Sequence, residues 1–208
     1  MILIGQYDSP FVRRVGIALV LYGLPFEHRP WSVFGDADRV RELNPVTKVP
    51  VLVLDDGDVI IESHMMLDYL DGLKAEAERL FPAREPARHR MLKIASMGMG
   101  LAEKAVSLFY EKRMHAEISE TWAGRCRMQM LSTLDALERE RAASAAPFWS
   151  GPSIGHADIA VACALRFTRD AHPGVIDWAA YPALGEFSAR LEALPVFRQI
   201  SQEFVAPA

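Results

Sequence analysis

Cysteine is nearly absent from this chain: Cys126 and Cys163 are the only two in 208 residues, far apart and each inside a helical pattern. No C-x-x-C pair occurs and no thiol lies near the first helix, which argues against a dithiol oxidoreductase and a structural zinc site. Two buried, inert thiols are expected. The six histidines show no H-x-x-x-H spacing, so they supply no metal site. An excess of positive charge is also lacking. With 23 Lys+Arg against 27 Asp+Glu the formal net charge is -4, and nothing electrostatic favours nucleic acid or an anionic membrane as partner. No apolar run approaches membrane-spanning length, and Met1 leads into Ile2-Leu3-Ile4 without a basic leader or a small-residue cleavage pattern. A cytoplasmic protein is expected.

What is present suffices for one or two packed domains: 50% of residues are hydrophobic and 24% charged. The most informative stretch runs from Asn44 to Ser63. Asn44-Pro45-Val46-Thr47-Lys48-Val49-Pro50 precedes the run Val51-Leu52-Val53-Leu54, an Asp55-Asp56-Gly57-Asp58 turn and Val59-Ile60-Ile61-Glu62-Ser63. Two branched apolar runs around an Asp/Gly cluster predict a β-hairpin. Pro50 has no N–H for a ladder and belongs at a strand's first residue, where it also keeps Val49 extended. Val49 then offers backbone groups to an extended, peptide-like ligand. Glu62 and Ser63 stand where strand gives way to a helix, a place that favours a carboxylate, while Glu62 can hold an ammonium.

Upstream, Ile2 to Gln6 reads as a short buried strand. Ser9-Pro10 then starts a helix whose stripe is Phe11, Val15, Ala18, Leu19 and Tyr22, ended by Gly23. Phe26 to Val33 is expected as a second strand, Asp36 to Leu43 as a short helix or irregular segment, and a helix runs from Glu62 to about Leu73. This order resembles the thioredoxin-like pattern, with a parallel first strand pair and an antiparallel second pair. The hydroxyl of Ser9, at a strand end and a helix N-terminus, can donate to an anion that the helix dipole also favours. It can equally be an N-cap. Tyr7 is the rival donor.

The runs N-P-x-x-K-V-P, E-S and S-P-F-x-R-R-V together resemble the cytosolic glutathione S-transferases, in particular their bacterial, serine-type members. The resemblance spans the chain and implies an α/β thioredoxin-like domain at 1–78, a linker at 79–86 and an all-α domain at 87–208. It implies that Val49, before a cis Pro50, pairs with the cysteinyl backbone of glutathione. Glu62 and Ser63 would hold its γ-glutamyl end, Lys48 would meet its glycine end, and Ser9 would stabilise the thiolate. A hydrophobic electrophile would bind between the domains against Phe11, Met97, Leu101, Phe109 and Arg113. No cofactor is implied, since glutathione is a co-substrate, and the role implied is detoxification. A homodimer is implied, with Arg13, Met65, Met66 and Arg90 as its candidate face; Arg13 and Arg14 read otherwise as helix surface. The alternative is a family-like protein-binding module without turnover.

Downstream, Ala87 to Met114 and Ile118 to about Ala143 read as long amphipathic helices, with Gly98 and Gly100 allowing a bend or a close approach. Prolines 182 and 195 start two short ones. In the family a buried helix begins with Ser or Thr, two residues, then Asp. Asp158 is kept here but Gly155 stands at the cap, so Asp158 is read as structural.

Overall fold

The computed structural model describes residues 1–206. Strands β1 (Ile2–Ile4), β2 (Glu27–Arg29), β3 (Val51–Val53) and β4 (Val59–Ile61) form one sheet in the order β2-β1-β3-β4. β1 runs parallel to β2 and antiparallel to β3, and β3 and β4 form the hairpin. Helices α1 (Pro10–Leu21), α2 (Ala37–Leu43) and α3 (Ser63–Gly72) complete this thioredoxin-like unit. The rest is helical: α4 (Ala87–Met114), α5 (Glu120–Ala142), α6 (His156–Ala171), α7 (Pro182–Glu192) and α8 (Pro195–Gln199). β2 is shorter than Phe26 to Val33 because Pro30 has no N–H to extend the ladder, and Trp31 N–H turns back to the Arg29 carbonyl.

Helix α1 organises both halves. It packs on α3 in the sheet unit and on α6 in the helical unit, and it is buried from Val12 to Leu19. Leu3, Val12, Leu19, Met66 and Leu70 form one core below it, while Ile17 joins the α4–α6 core. Each such fully buried aliphatic side chain contributes about 1.5–3 kcal/mol. Gly98 of α4 permits the close approach of α4 to α6, since a Cβ there would stand 3.0 Å from the Val161 nitrogen of α6. Gly100 has nothing within 4 Å, so close approach is the role of Gly98 alone.

Burial on both sides overturns the surface reading of Arg13 and Arg14. The Arg13 guanidinium is buried, pairs with both carboxylate oxygens of Glu192 at 2.6 and 2.8 Å, and donates to the Phe197 and Ile200 carbonyls. Its planar fork matches that carboxylate. Arg14 is equally buried. Met66 leaves the proposed dimer face as well, because it sits on the α3 stripe with Leu67 and Leu70, fully inside. Met65 and Arg90 stay exposed.

The two units are joined by a buried polar knot. Asp71 of α3 accepts from Tyr22 Oη, from His156 Nε2 at 3.1 Å, and from the Leu80 and Phe81 backbone amides at 3.2 and 3.3 Å. Burial pushes the Asp71 carboxyl up, and these donors outweigh it, holding the group below its ordinary value. His156 then donates from Nε2, so its buried Nδ1 is an acceptor without a partner. Burial keeps this ring below the usual histidine pKa.

The start of α6 explains the missing cap hydroxyl. Asp158 is fully buried; its carboxylate accepts from Trp149 N at 2.8 Å and Gly155 N at 2.9 Å. Burial pushes its pKa up to about 6. A Cβ on residue 155 would meet Ser150 Oγ at 2.5 Å and the Leu80 carbonyl at 2.7 Å. Glycine is there because the linker and the preceding loop fill the space.

Cys126 and Cys163 are both buried, and burial pushes the Cys163 thiol up to about 12. No helix among the described residues is long and apolar enough to cross a membrane.

Candidate active site

The hairpin register assembles the site. Ile4 of β1 pairs with Val51 of β3, which pairs with Ile61 of β4. These three residues form one row across the sheet. The residues that step off that end are therefore Gly5, Pro50 and Glu62, and the chain after each of the first and third enters a helix N-terminus. Ser9, Val49 and Glu62-Ser63, distant in sequence, leave the same edge. The Val49–Pro50 bond is cis, and pairing of β3 begins only at Val51, so Val49 lies outside the ladder.

Local chemistry sets each piece. Asn44 is buried; its Nδ2 donates to the Lys48 carbonyl at 2.8 Å and its Oδ1 accepts from Val46 N at 3.0 Å. That side chain shapes the turn 45–48, in which Thr47 takes a φ of 54°. Gly5, with a φ of 127°, is where three segments close in: a Cβ there would lie 2.5 Å from a Val12 methyl and 2.9 Å from Val49 Cβ. Lys48 is exposed beside Val49, and Glu62, with a φ of 66°, is exposed just ahead of buried Ser63 at the first position of α3.

Ser9 is the N-cap of α1, its Oγ accepting from Val12 N at 3.5 Å. Because Oγ is the acceptor in that bond, the hydroxyl proton stays free for another acceptor. Tyr7 lies beyond β1 in a turn, not within the strand. Its ring stacks on His28 with centroids 3.8 Å apart, and burial pushes its hydroxyl up to about 12, which keeps it a neutral phenol at neutral pH.

Of the five residues expected at the electrophile pocket, Leu101 is misplaced. It is fully buried in the α4–α5–α6 core, because α4 is covered on that face by its neighbours. Phe11, Met97 and Phe109 are partly buried against the same core, and Arg113 is exposed in the last turn of α4. Trp31 is held in packing: it lies on the Ile4, Val40 and Val51 cluster with the guanidinium groups of Arg29 and Arg39 within 6 Å of its ring.

Two features escaped sequence reasoning. Arg14 carries a buried charge with no carboxylate on it among the described residues: Nη2 donates to His64 Nδ1 at 3.2 Å, and Nε has no partner there. Burial lowers its pKa to about 10, so it stays charged at neutral pH. His64 is the residue after Ser63, and partial desolvation together with Arg14 lowers the pKa of its ring. A fixed positive charge thus stands behind the α3 N-terminus. The second feature is a ring contact between the two units: Phe34, between β2 and α2, meets Tyr110 of α4 edge-on at 5.6 Å.

The sequence family described as "Glutathione S-transferase, N-terminal domain" matches residues 3–78, and "Glutathione S-transferase, C-terminal domain" matches residues 120–190. The chain belongs to the glutathione S-transferase family. The GST-like protein YibF of Escherichia coli K12, itself described as uncharacterized, is 32% identical over 182 residues, 85% of this chain and 88% of YibF. Glutathione S-transferase U1 of Arabidopsis thaliana is 27% identical over 202 residues, covering 94% of this chain and 86% of its own. Among solved structures, a Methylobacterium radiotolerans glutathione S-transferase in complex with glutathione sulfonate superposes with a TM-score of 0.88 at 29% identity, covering 100% of this chain and 98% of that one. A Pseudomonas fluorescens Pf-5 family member with bound glutathione gives 0.83 at 27%, with 96% and 97% covered. The glutathione transferase fold expected from the sequence is therefore the fold observed.

Proposed function

We propose that this glutathione transferase is of the serine type: it binds glutathione along the Gly5–Pro50–Glu62 edge and ionises its thiol against Ser9. The observation that carries this reading is the Ile4–Val51–Ile61 row, which sets a helix N-terminus bearing a hydroxyl, an extended residue outside the ladder and an acidic–serine pair at one sheet end. Val49 pairs with the cysteinyl backbone, Glu62 takes the ammonium, Ser63 the γ-glutamyl carboxylate and Lys48 the glycine carboxylate. The solved relatives whose descriptions record bound glutathione or its sulfonate support a ligand of this kind.

Ionising most of a thiol at neutral pH requires lowering its pKa by about 2 units from about 8.5, or about 2.7 kcal/mol. One hydrogen bond to a charged group contributes about 1.5–3 kcal/mol and the helix dipole about 0.3–1 kcal/mol. Ser9 and α1 together supply that amount. The thiol proton goes to solvent; the thiolate attacks an electrophilic carbon, a C–S bond forms, and the leaving group departs with its electron pair. The hydrophobic electrophile binds between the units near Phe11, Phe109 and Arg113. No cofactor takes part. The enzyme works in the cytoplasm as a homodimer whose contact face includes exposed Met65 and Arg90.

Calorimetric titration with glutathione, paired with ultraviolet titration of the bound thiol, tests this. Binding with a depressed thiol pKa supports the reading, and no binding at millimolar glutathione sinks it.

A further inference from the structure

Two guanidinium groups stand side by side on α1 inside the molecule, and only one of them is closed. Arg13 is neutralised by Glu192, and the Phe197 and Ile200 carbonyls complete its contacts. Arg14 is 2% exposed. Its Nη2 donates to His64 Nδ1, and its buried Nε has no acceptor among the described residues. From α6 it is faced by the Cys163 thiol and the His156 ring. Burial pushes the thiol up to about 12 and lowers the pKa of the ring, so neither supplies an anion at neutral pH. The Asp71 carboxylate is already taken up by Tyr22, His156 and two linker amides. A buried cation without a counter-ion costs stability, and an orphaned buried donor adds to that cost. Held in contact with a residue of the glutathione edge, it is a charge prepared for an anion from outside.

His64 says where that anion sits. Nη2 of Arg14 carries hydrogen, so Nδ1 of His64 is the acceptor and the proton of the neutral ring is on Nε2. The ring is exposed and stands in the first turn of α3, directly after buried Ser63. Arg14 therefore acts twice at this helix N-terminus. It sets a fixed positive charge behind the free backbone N–H groups, which already favour a carboxylate, and it fixes the tautomer that leaves His64 an outward N–H. Glu62, exposed just ahead of Ser63, carries the opposite sign. A carboxylate in front and a guanidinium behind are complementary to a zwitterion with its ammonium and carboxylate on one carbon, which is the γ-glutamyl end of glutathione.

Resting on the reading of the site given above, we propose that Arg14 is a positioning residue for the γ-glutamyl carboxylate: from behind α3, and through the His64 tautomer, it makes the enzyme select thiols that carry this group. Ser63 and the α3 amides make the direct contact, and Arg14 supplies the charge that makes it selective. A thiol peptide lacking only that carboxylate keeps its contacts at Lys48, Val49 and Glu62 and gains nothing from Arg14.

The test uses the full-length chain at pH 7.5 and compares, by calorimetry, glutathione with 4-aminobutanoyl-cysteinylglycine, which keeps the ammonium, the thiol and the glycine end but lacks the γ-glutamyl carboxylate. Arg14→Met is expected to weaken glutathione about tenfold and the analogue less than about twofold, with kcat at saturating glutathione changed less than about twofold. Arg14→Lys keeps the charge and should hold glutathione within about threefold of wild type. His64 is exposed, so its variants report even where an Arg14 variant does not fold. His64→Leu should lose about threefold of the preference for glutathione over the analogue, and His64→Gln, whose amide can accept from Arg14 and donate outward, should restore it. Equal losses for the two ligands in Arg14→Met, or no loss for either, overturn the proposal; should that variant not fold, an unchanged preference in His64→Leu overturns it instead. A wild type that binds glutathione but gives either result loses only the role of Arg14. A wild type that binds neither ligand loses the parent reading and this role with it.

Discussion

Replacing Gly155 by serine sets two physical effects against each other. Serine is a good N-cap, and relative to glycine it should stabilise α6 by a few tenths of a kcal/mol. The structure opposes this, because the new Cβ would stand 2.5 Å from Ser150 Oγ and 2.7 Å from the Leu80 carbonyl oxygen. Ser150 can rotate away. Leu80 cannot easily do so, since its carbonyl accepts from His156 N at 3.0 Å while its amide is held by Tyr22 and Asp71. Overpacking of this kind costs about 1–3 kcal/mol, several times the capping gain. For a chain of this size each kcal/mol moves the melting temperature by about 2–4 °C, so Gly155→Ser should melt lower by about 2–12 °C. Adding Ser150→Ala should recover only part of the loss, since the carbonyl contact remains. The assay is thermal or urea unfolding of the single and double variants. A Gly155→Ser protein melting at or above wild type would refute the packing account and restore the capping expectation.

Ser9→Ala should raise the pKa of the bound glutathione thiol by about 1–2 units, the worth of one charge-assisted hydrogen bond, as read by ultraviolet titration; an unmoved pKa removes Ser9 from the chemistry. Because burial holds His156 below its ordinary 6.5, its share of stability is full above about pH 6.5 and is lost as pH falls through the lower, folded value. The stability advantage of wild type over His156→Gln should accordingly shrink between pH 7.5 and 5. Asp158, raised to about 6, acts in the opposite sense but cancels in that difference, and Asp71, held below 3.8, stays ionised throughout the window. Arg14→Met should leave stability within about 2 kcal/mol of wild type or raise it, since the guanidinium has no carboxylate to lose, and should move the His64 titration, followed by NMR, upward. Leu101→Ala should cost about 2–5 kcal/mol in unfolding free energy as a core cavity; a change under about 1 kcal/mol would return that residue to a solvent-lined pocket.

What could be read from sequence was local. Ser9-Pro10, the hairpin and Glu62-Ser63 each carry their signal within a few residues, and the hairpin register then brings them to one sheet end. Charge burial is not local: Arg13 and Arg14 look like surface until α6, Glu192 and the α8 carbonyls surround α1. Helical periodicity placed Leu101 on an apolar stripe but could not say that a neighbouring helix, rather than a ligand, covers it. The departure at Gly155 was visible, but its cause lies at Leu80, far back in the chain. Residues 201–206 carry no periodicity, so nothing short of the packed structure brings Phe204 to Phe109. Pro30 was visible too, and its missing N–H should have shortened the expected second strand.

Leu80 also bears on how the molecule moves. Its amide is held by Tyr22 at the end of α1 and by Asp71 of α3, and its carbonyl by the first residue of α6, so a single residue of the linker is riveted to both units. A connector fixed on both sides transmits torque rather than absorbing it, and the two units must turn as one body and melt as one cooperative block. Clamshell motion is thereby denied to this enzyme.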